Sequence, residues 1–469
     1  MVPGCLAGDA GFSVADRSDP AACDPSPETN EKWRLREMSG DRVPSRAWVV
    51  TFAGMALNLC LGILYAWSIW KKVLLGSPDH PAGSPMVGLN AGWTYLTDTQ
   101  ATWAYALCGF IFACCMIPGG IIQDRFGPKL GATLGGLFLA AGCFLAGYLK
   151  SYLGLILGFG ILGGIGMGLG YAAATPAAVR WFGSHQRGLV VGIVVGGFGA
   201  AAVYISPLAQ YLIDHYGLSG SFYILGTLFA VVVVFAGQLL SWPPANYTAP
   251  VSAKPSARTS SMTTHDWRPA EMLRTWQYYG LVFLFIASAQ SGLLVIANAA
   301  PMLLKTAGGL DFFVNNAWLL ASFGGLVNAA GRIGTGLYSD RIGRTQAYWL
   351  NALIAAACVF LTPWVMRTGN VALLFLVVGV AFWQYGGGLS LLPAFTADFF
   401  GAKNLGSNYG LVFLGWGLAF FMPQFAGVIK DQTGSLDYAF YLSGSLLLAG
   451  LALASLIKRP EKSVTTTHP

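Results

Sequence analysis

Charge is scarce in this chain: only 10% of its 469 residues are Asp, Glu, Lys or Arg, against about 25% in an ordinary soluble domain. With 55% of the residues hydrophobic, water is excluded as the main solvent. Cys/His clusters at metal-ligand spacing are missing, so no metal site and no cofactor is expected. Of the eight cysteines, six (Cys60, Cys108, Cys114, Cys115, Cys143, Cys358) lie in apolar stretches and Cys5 and Cys23 in a polar tail. That spacing gives no disulfide framework, and the thiols are expected to be reduced. The apolar stretches also lack Ser/His/Asp, Cys/His and paired-carboxylate constellations, which argues against an enzyme. Residues 1–46 lack the short apolar core of a cleavable signal peptide and read as a disordered polar tail.

Long apolar runs are abundant instead. A bilayer core about 30 Å thick needs roughly 20 apolar residues per helix. Such runs fall at about 47–70, 99–122, 130–149, 152–176, 188–213, 219–240, 276–303, 312–338, 346–366, 370–396, 407–429 and 436–457. We number them spans 1 to 12. The 61 glycines suit close packing of membrane helices, which small residues permit. The expected fold is therefore an all-α integral membrane protein, multi-pass and embedded in the lipid bilayer. Its units are a tail 1–46, a six-helix bundle 47–240, a Pro/Ser/Thr-rich linker 241–275, a second six-helix bundle 276–457 and a tail 458–469.

The 27 Lys and Arg residues divide unevenly: 20 lie in the tails, the linker and the loops on their side, 6 in the opposite loops and one within a span. The positive-inside tendency then places both termini in the cytoplasm. The net charge of +7 reflects this asymmetry rather than a nucleic-acid partner. Two segments repeat in the same order. GGIIQDRFGPK after span 2 carries Gly120, Asp124, Arg125 and Gly127, and GTGLYSDRIGR after span 8 carries Gly336, Asp340, Arg341 and Gly343, each 216 residues on. WFGSHQRG from Trp181 returns as FFGAKNLG from Phe399 at an offset of 218. A duplicated half explains both and makes the two bundles pseudo-symmetric.

The G-x-x-x-D-R-x-G loop between spans 2 and 3, echoed between spans 8 and 9, resembles the hallmark of the major facilitator superfamily. The resemblance implies twelve transmembrane helices in the major facilitator fold. It also implies conformational gating by Asp124, Arg125, Asp340 and Arg341, which latch the cytoplasmic face. Read from the residues alone, these are either a latch or solvated loop charges.

Arg332 lies eight residues before Asp340. At 1.5 Å per residue it sits about 12 Å into the membrane, near the midplane. No Asp, Glu, Lys or His accompanies it at that depth. An intramembrane cation marks a binding site for an anion unless it snorkels to the interface or binds backbone carbonyls. Guanidinium suits a carboxylate, to which its planar fork gives two parallel bonds. Asn328, one turn earlier, is placed to orient it, and Tyr65, Trp67, Tyr171, Tyr385 and Trp416 are candidate walls of the cavity.

A narrower resemblance is carried by GILYAWS in span 1, YAAATPAAVRWF with QRG after span 4, EMLRT before span 7, GLLVIANAAP in span 7, GRIGTGLYSDRIGR in span 8 and NYG opening span 11. These segments resemble the oxalate/formate antiporter family and, more distantly, the monocarboxylate transporters. The oxalate carriers of that family bind two carboxylates with a span-8 arginine, here Arg332, and a span-11 lysine. The lysine position falls at or near Trp416. Monocarboxylate transporters typically carry an Asp one turn before the arginine, where this chain has Asn328, and a Lys in span 1, where only Lys71 and Lys72 occur at the outer end. Asp311 is a poor substitute for the missing Asp.

The expectation is a secondary transporter of the plasma (inner) membrane, working by alternating access on a small monocarboxylate of the lactate, pyruvate or formate class. Electroneutrality favours entry together with a proton. An anion exchanger of the oxalate/formate type and a non-transporting carboxylate sensor remain as alternatives.

Overall fold

The computed structural model describes residues 43–244, 246–247, 249, 263, 265–401 and 404–460. The tail 1–42, most of the linker between 245 and 264, and residues 461–469 lie outside the described residues. Among the described residues, ten helices are long and apolar enough to cross a membrane. One of them, Leu189–Leu239, runs 51 residues, and Gly217 breaks it with φ 70°, so it supplies spans 5 and 6. Span 8, Leu319–Ile342, is not among the ten because Arg332 and Asn328 lower the hydropathy of its apolar stretch. Twelve spans result.

The remaining bounds are span 1 Ser45–Leu74, span 2 Asp98–Phe126, span 3 Pro128–Leu149, span 4 Tyr152–Val179, span 7 Trp276–Ala307, span 9 Arg344–Thr368, span 10 Val371–Phe400, span 11 Leu405–Thr433 and span 12 Asp437–Leu456. Local chemistry sets many ends. Thr97 and Gln100 form a capping box at the start of span 2, and Thr275 and Asn370 cap spans 7 and 10. These side chains satisfy amides that the first helical turn leaves unpaired. The repeated loops share a backbone: Gly127 at φ 86°, ψ 165° and Gly343 at φ 94°, ψ 156°. Those positive φ values favour glycine, so the duplicated glycine has one structural job in both halves.

An even number of crossings returns Val43 and Pro460 to one face, here the terminal face. Spans 1 to 6 and spans 7 to 12 pack mainly among themselves, and spans 5 and 8, 2 and 11, and 1 and 7 meet across the two halves. Three spans are less regular than their apolar runs suggest. Span 1 tightens into a 3-10 turn over Gly62–Ala66, span 4 widens into a π segment over Ile156–Gly163, and span 11 is interrupted at Phe413 and Phe420. Such interruptions rotate the residues beyond them and recur at functional sites.

The halves touch closely away from the terminal face and part toward it. A Cβ on Gly427 would collide with Thr102, and one on Gly325 would press on Ala202. Nearer the terminal face, Gly406 and Gly410 of span 11 and Gly192 and Gly196 of span 5 face open space.

Candidate functional site

Arg332 is buried at 5% exposure and projects from span 8 toward the other half. Its Nη1 donates to the Val195 carbonyl at 3.0 Å, its Nη2 to the Tyr65 hydroxyl at 3.2 Å and its Nε to Asn328 Oδ1 at 3.4 Å. Gly199 of span 5 makes room, since a Cβ there would come within 3.1 Å of Nε. The guanidinium does not snorkel. It reaches sideways across the interface, and one backbone carbonyl contributes to holding it. All three partners are neutral oxygens. Guanidinium has five N–H groups, more than Val195, Tyr65, Asn328 and the neighbouring Tyr171 hydroxyl take up, so donor capacity remains for an anion.

The hydrogen-bond chain continues through aromatic side chains. Tyr65 and Tyr385 share a bond of 2.7 Å, and Trp416 Nε1 donates to the Tyr385 hydroxyl at 2.8 Å. The 3-10 turn in span 1 carries Tyr65. Tyr385 stands on span 10 and Trp416 on the short helical piece Leu414–Ala419 of span 11. Phe198 packs edge-on to Tyr65 at 5.1 Å, and Tyr171 contacts Phe198 at 5.1 Å while its hydroxyl faces the guanidinium. Phe112 joins Tyr171 at 5.4 Å to Trp416 at 5.0 Å. The structure thus brings together Arg332, Asn328, Tyr65, Tyr171, Tyr385 and Trp416 from both halves.

Trp67 does not join them. Its indole donates to the Ala101 carbonyl at 3.1 Å and stacks on Phe159 at 4.5 Å, inside the first half. The reason is helical geometry: two residues turn a helix by about 200°, so Trp67 faces away from Tyr65. Asp311 is exposed in a short helix before span 8, remote from any role beside Arg332. The four loop residues lie apart from this cluster. Asp124 pairs with Arg180 at 3.2 Å, and Arg180 stacks over Trp242 at 3.7 Å. Asp340 pairs with Arg344 at 2.7 Å, and Arg344 also approaches Asp398 at 3.9 Å. Arg125 and Arg341 are exposed.

Two features escaped the sequence. Tyr105 of span 2 is fully buried and contacts Phe420 of span 11 at 4.9 Å. The second is an ionic cluster at the face opposite the termini. Arg332 is therefore not the only buried cation: Lys71 is fully buried, pairs with Asp98 at 2.6 Å and donates to Asn298 of span 7 at 2.7 Å. Lys430 of span 11 also binds Asp98. The Asp431 carboxylate accepts the amides of Asp98 and Thr99 at 3.0 and 2.8 Å, where a helix N-terminus favours an anion. Gln424 accepts from Thr102 at 2.9 Å. Lys and Asp at the edge of an apolar run read as solvated ends, so only their convergence in space marks them as a lock between halves.

The family model of the Major Facilitator Superfamily matches residues 47–422. The oxalate:formate antiporter of Oxalobacter formigenes is 25% identical over 432 residues, covering 91% of this chain and 95% of the relative. Monocarboxylate transporter 12 of Rattus norvegicus is 25% identical over 392 residues, covering 77% and 79%. Among solved structures, the D-xylose-proton symporter superposes with a TM-score of 0.64 at 14% identity, covering 88% of this chain and 99% of that one. The match spans most of the chain, the membrane helices are those of a multi-pass transporter rather than an enzyme, and the chain belongs to the Major Facilitator Superfamily.

Proposed function

We propose that the chain is a secondary transporter of a small monocarboxylate, bound between the halves with its carboxylate on Arg332. The observation that carries this reading is a buried guanidinium at the interface whose three partners are neutral oxygens. A carboxylate supplies the missing charge and acceptors for the remaining N–H donors. The relatives named for oxalate, formate and monocarboxylates support the substrate class.

The termini and linker are taken as cytoplasmic because Lys and Arg concentrate there, and the membrane as the plasma (inner) membrane. The halves, open at the terminal face and locked opposite, then represent an inward-open state. Reopening the lock and closing the terminal face around Asp124, Arg125, Asp340 and Arg341 completes alternating access. Entry of the anion with a proton keeps net transport electroneutral.

Exchange is the second reading, favoured by the oxalate:formate antiporter, whose similarity covers 91% of this chain. Purified protein in proteoliposomes decides between them. Symport requires uptake of labelled lactate or formate into empty vesicles, driven by an inward proton gradient. Exchange requires internal substrate. A protein that binds these acids but moves none under either condition is not a transporter of them.

A further inference from the structure

We propose that Tyr105 of span 2 is a second polar anchor of this cavity, selecting monocarboxylates that carry an uncharged hydroxy or oxo oxygen beyond the carboxylate. The inference rests on the Arg332 reading above and narrows it.

Tyr105 is fully buried, and its hydroxyl has no hydrogen-bond partner. Native structures rarely leave a buried polar atom orphaned, and each such atom calls for a reason such as a bound ligand. Its position supplies one. Asp98 and Lys71 pair at 2.6 Å and so level spans 1 and 2 with each other. Tyr65 lies six residues below Lys71 and Tyr105 seven below Asp98, about 9 and 10.5 Å along their helices. The two tyrosines therefore share one depth.

The Tyr105 ring lies on the interface, 4.9 Å from Phe420 of the other half, and its hydroxyl is within electrostatic range of both Tyr65 and Tyr385. Arg332, Tyr65, Tyr385 and Trp416 already bond one another in a chain. Tyr105 faces that chain and is left out of it. A carboxylate on Arg332 leaves the rest of a small acid among aromatic rings, with the Tyr105 hydroxyl as the free polar group. A phenol both donates and accepts, so it serves a ligand hydroxyl or carbonyl equally. Formate and unsubstituted acids offer it nothing.

The test compares L-lactate with propionate, which share a three-carbon chain and differ by one hydroxyl. Uptake efficiency of both is measured in proteoliposomes for the wild-type protein and Tyr105→Phe. One neutral hydrogen bond of about 1.4 kcal/mol is tenfold. The wild-type protein is expected to favour lactate about tenfold, and Tyr105→Phe to abolish that preference by lowering lactate uptake about tenfold more than propionate uptake. A merely structural tyrosine would lower both acids together. Equal wild-type handling of lactate and propionate, or an equal loss of both in Tyr105→Phe, overturns the assignment while leaving Arg332 standing. Failure of the wild-type protein to take up either acid overturns the monocarboxylate reading and this inference with it.

Discussion

Replacing Arg332 tests the site most directly, and the structure sets the size of the effect. Three donors of Arg332 are spent on Asn328, Val195 and Tyr65, the Tyr171 hydroxyl lies beside the guanidinium, and the remaining donor capacity is left for a carboxylate. Arg332→Ala strands an incoming carboxylate without a counter-ion, a loss of about 3–5 kcal/mol for a buried pair. Uptake efficiency should then fall by roughly two to three orders of magnitude. Arg332→Lys keeps the charge but not the fork. It forfeits one charge-assisted hydrogen bond, about 1.5–3 kcal/mol, or roughly ten- to hundredfold. Folding should survive both changes, because Tyr65 retains its bond to Tyr385 at 2.7 Å. The assay is initial uptake of labelled lactate and formate into proteoliposomes containing equal amounts of monodisperse protein. Near-normal uptake by Arg332→Ala would refute the argument that this guanidinium holds the substrate, whatever the phenotype of Arg332→Lys.

Asp98→Asn leaves the buried Lys71 and the half-buried Lys430 without their shared carboxylate, and should shift the protein toward opening at the locked face. A cysteine at Gln424 should then label from that face at least tenfold faster, and unchanged labelling counts against the lock. Dicarboxylates should compete at least roughly a hundredfold more weakly than monocarboxylates, since a second carboxylate loses water beside Trp416 without gaining a cation. Trp416→Lys should narrow the gap, and strong competition by oxalate or malonate in the wild-type protein would end the one-cation argument. For coupling, uptake should rise as external pH falls, with acidification of the vesicle lumen. Indifference to a pH gradient together with dependence on internal substrate points to exchange.

Much of this architecture is legible in the sequence, because apolar length and the duplicated Asp-Arg loops encode it directly. Span 8 is legible as an apolar run at 312–338 although its helix, Leu319–Ile342, is the least apolar of the twelve because it carries Arg332. Arg332, Asn328, Tyr65, Tyr385 and Trp416 were accessible because one intramembrane charge singles out a depth, and tyrosines and tryptophan at that depth are few. Depth does not give direction, which is why Trp67 is grouped with Tyr65 by sequence although it faces Phe159. Tyr105 has no sequence signal at all. A tyrosine in an apolar helix reads as packing, and only its unpartnered hydroxyl, visible once spans 2 and 11 are docked, separates it from the others. Lys71, Asp98 and Lys430 fail for the same reason, since each is ordinary at the end of a span and unusual only together.

The placement of the bonds to Arg332 connects binding to movement. Arg332 belongs to the second half, whereas Val195 and Tyr65 belong to the first. The site is therefore tied across the interface by bonds from span 8 to spans 5 and 1 that relative motion of the two halves must break. Breaking them without replacement leaves a guanidinium short of acceptors in a medium that does not supply them, a cost that symport meets on the return of the unloaded protein and that exchange avoids. A carboxylate can accept from Arg332 and from the Tyr65 and Tyr385 hydroxyls together, exchanging bonds fixed to one half for bonds to a ligand that travels with the cavity. Only an interaction that differs between two states can shift their balance. On the proposed function the differing contact is the Arg332 guanidinium itself, so substrate binding and release of the mid-membrane tie would be one event.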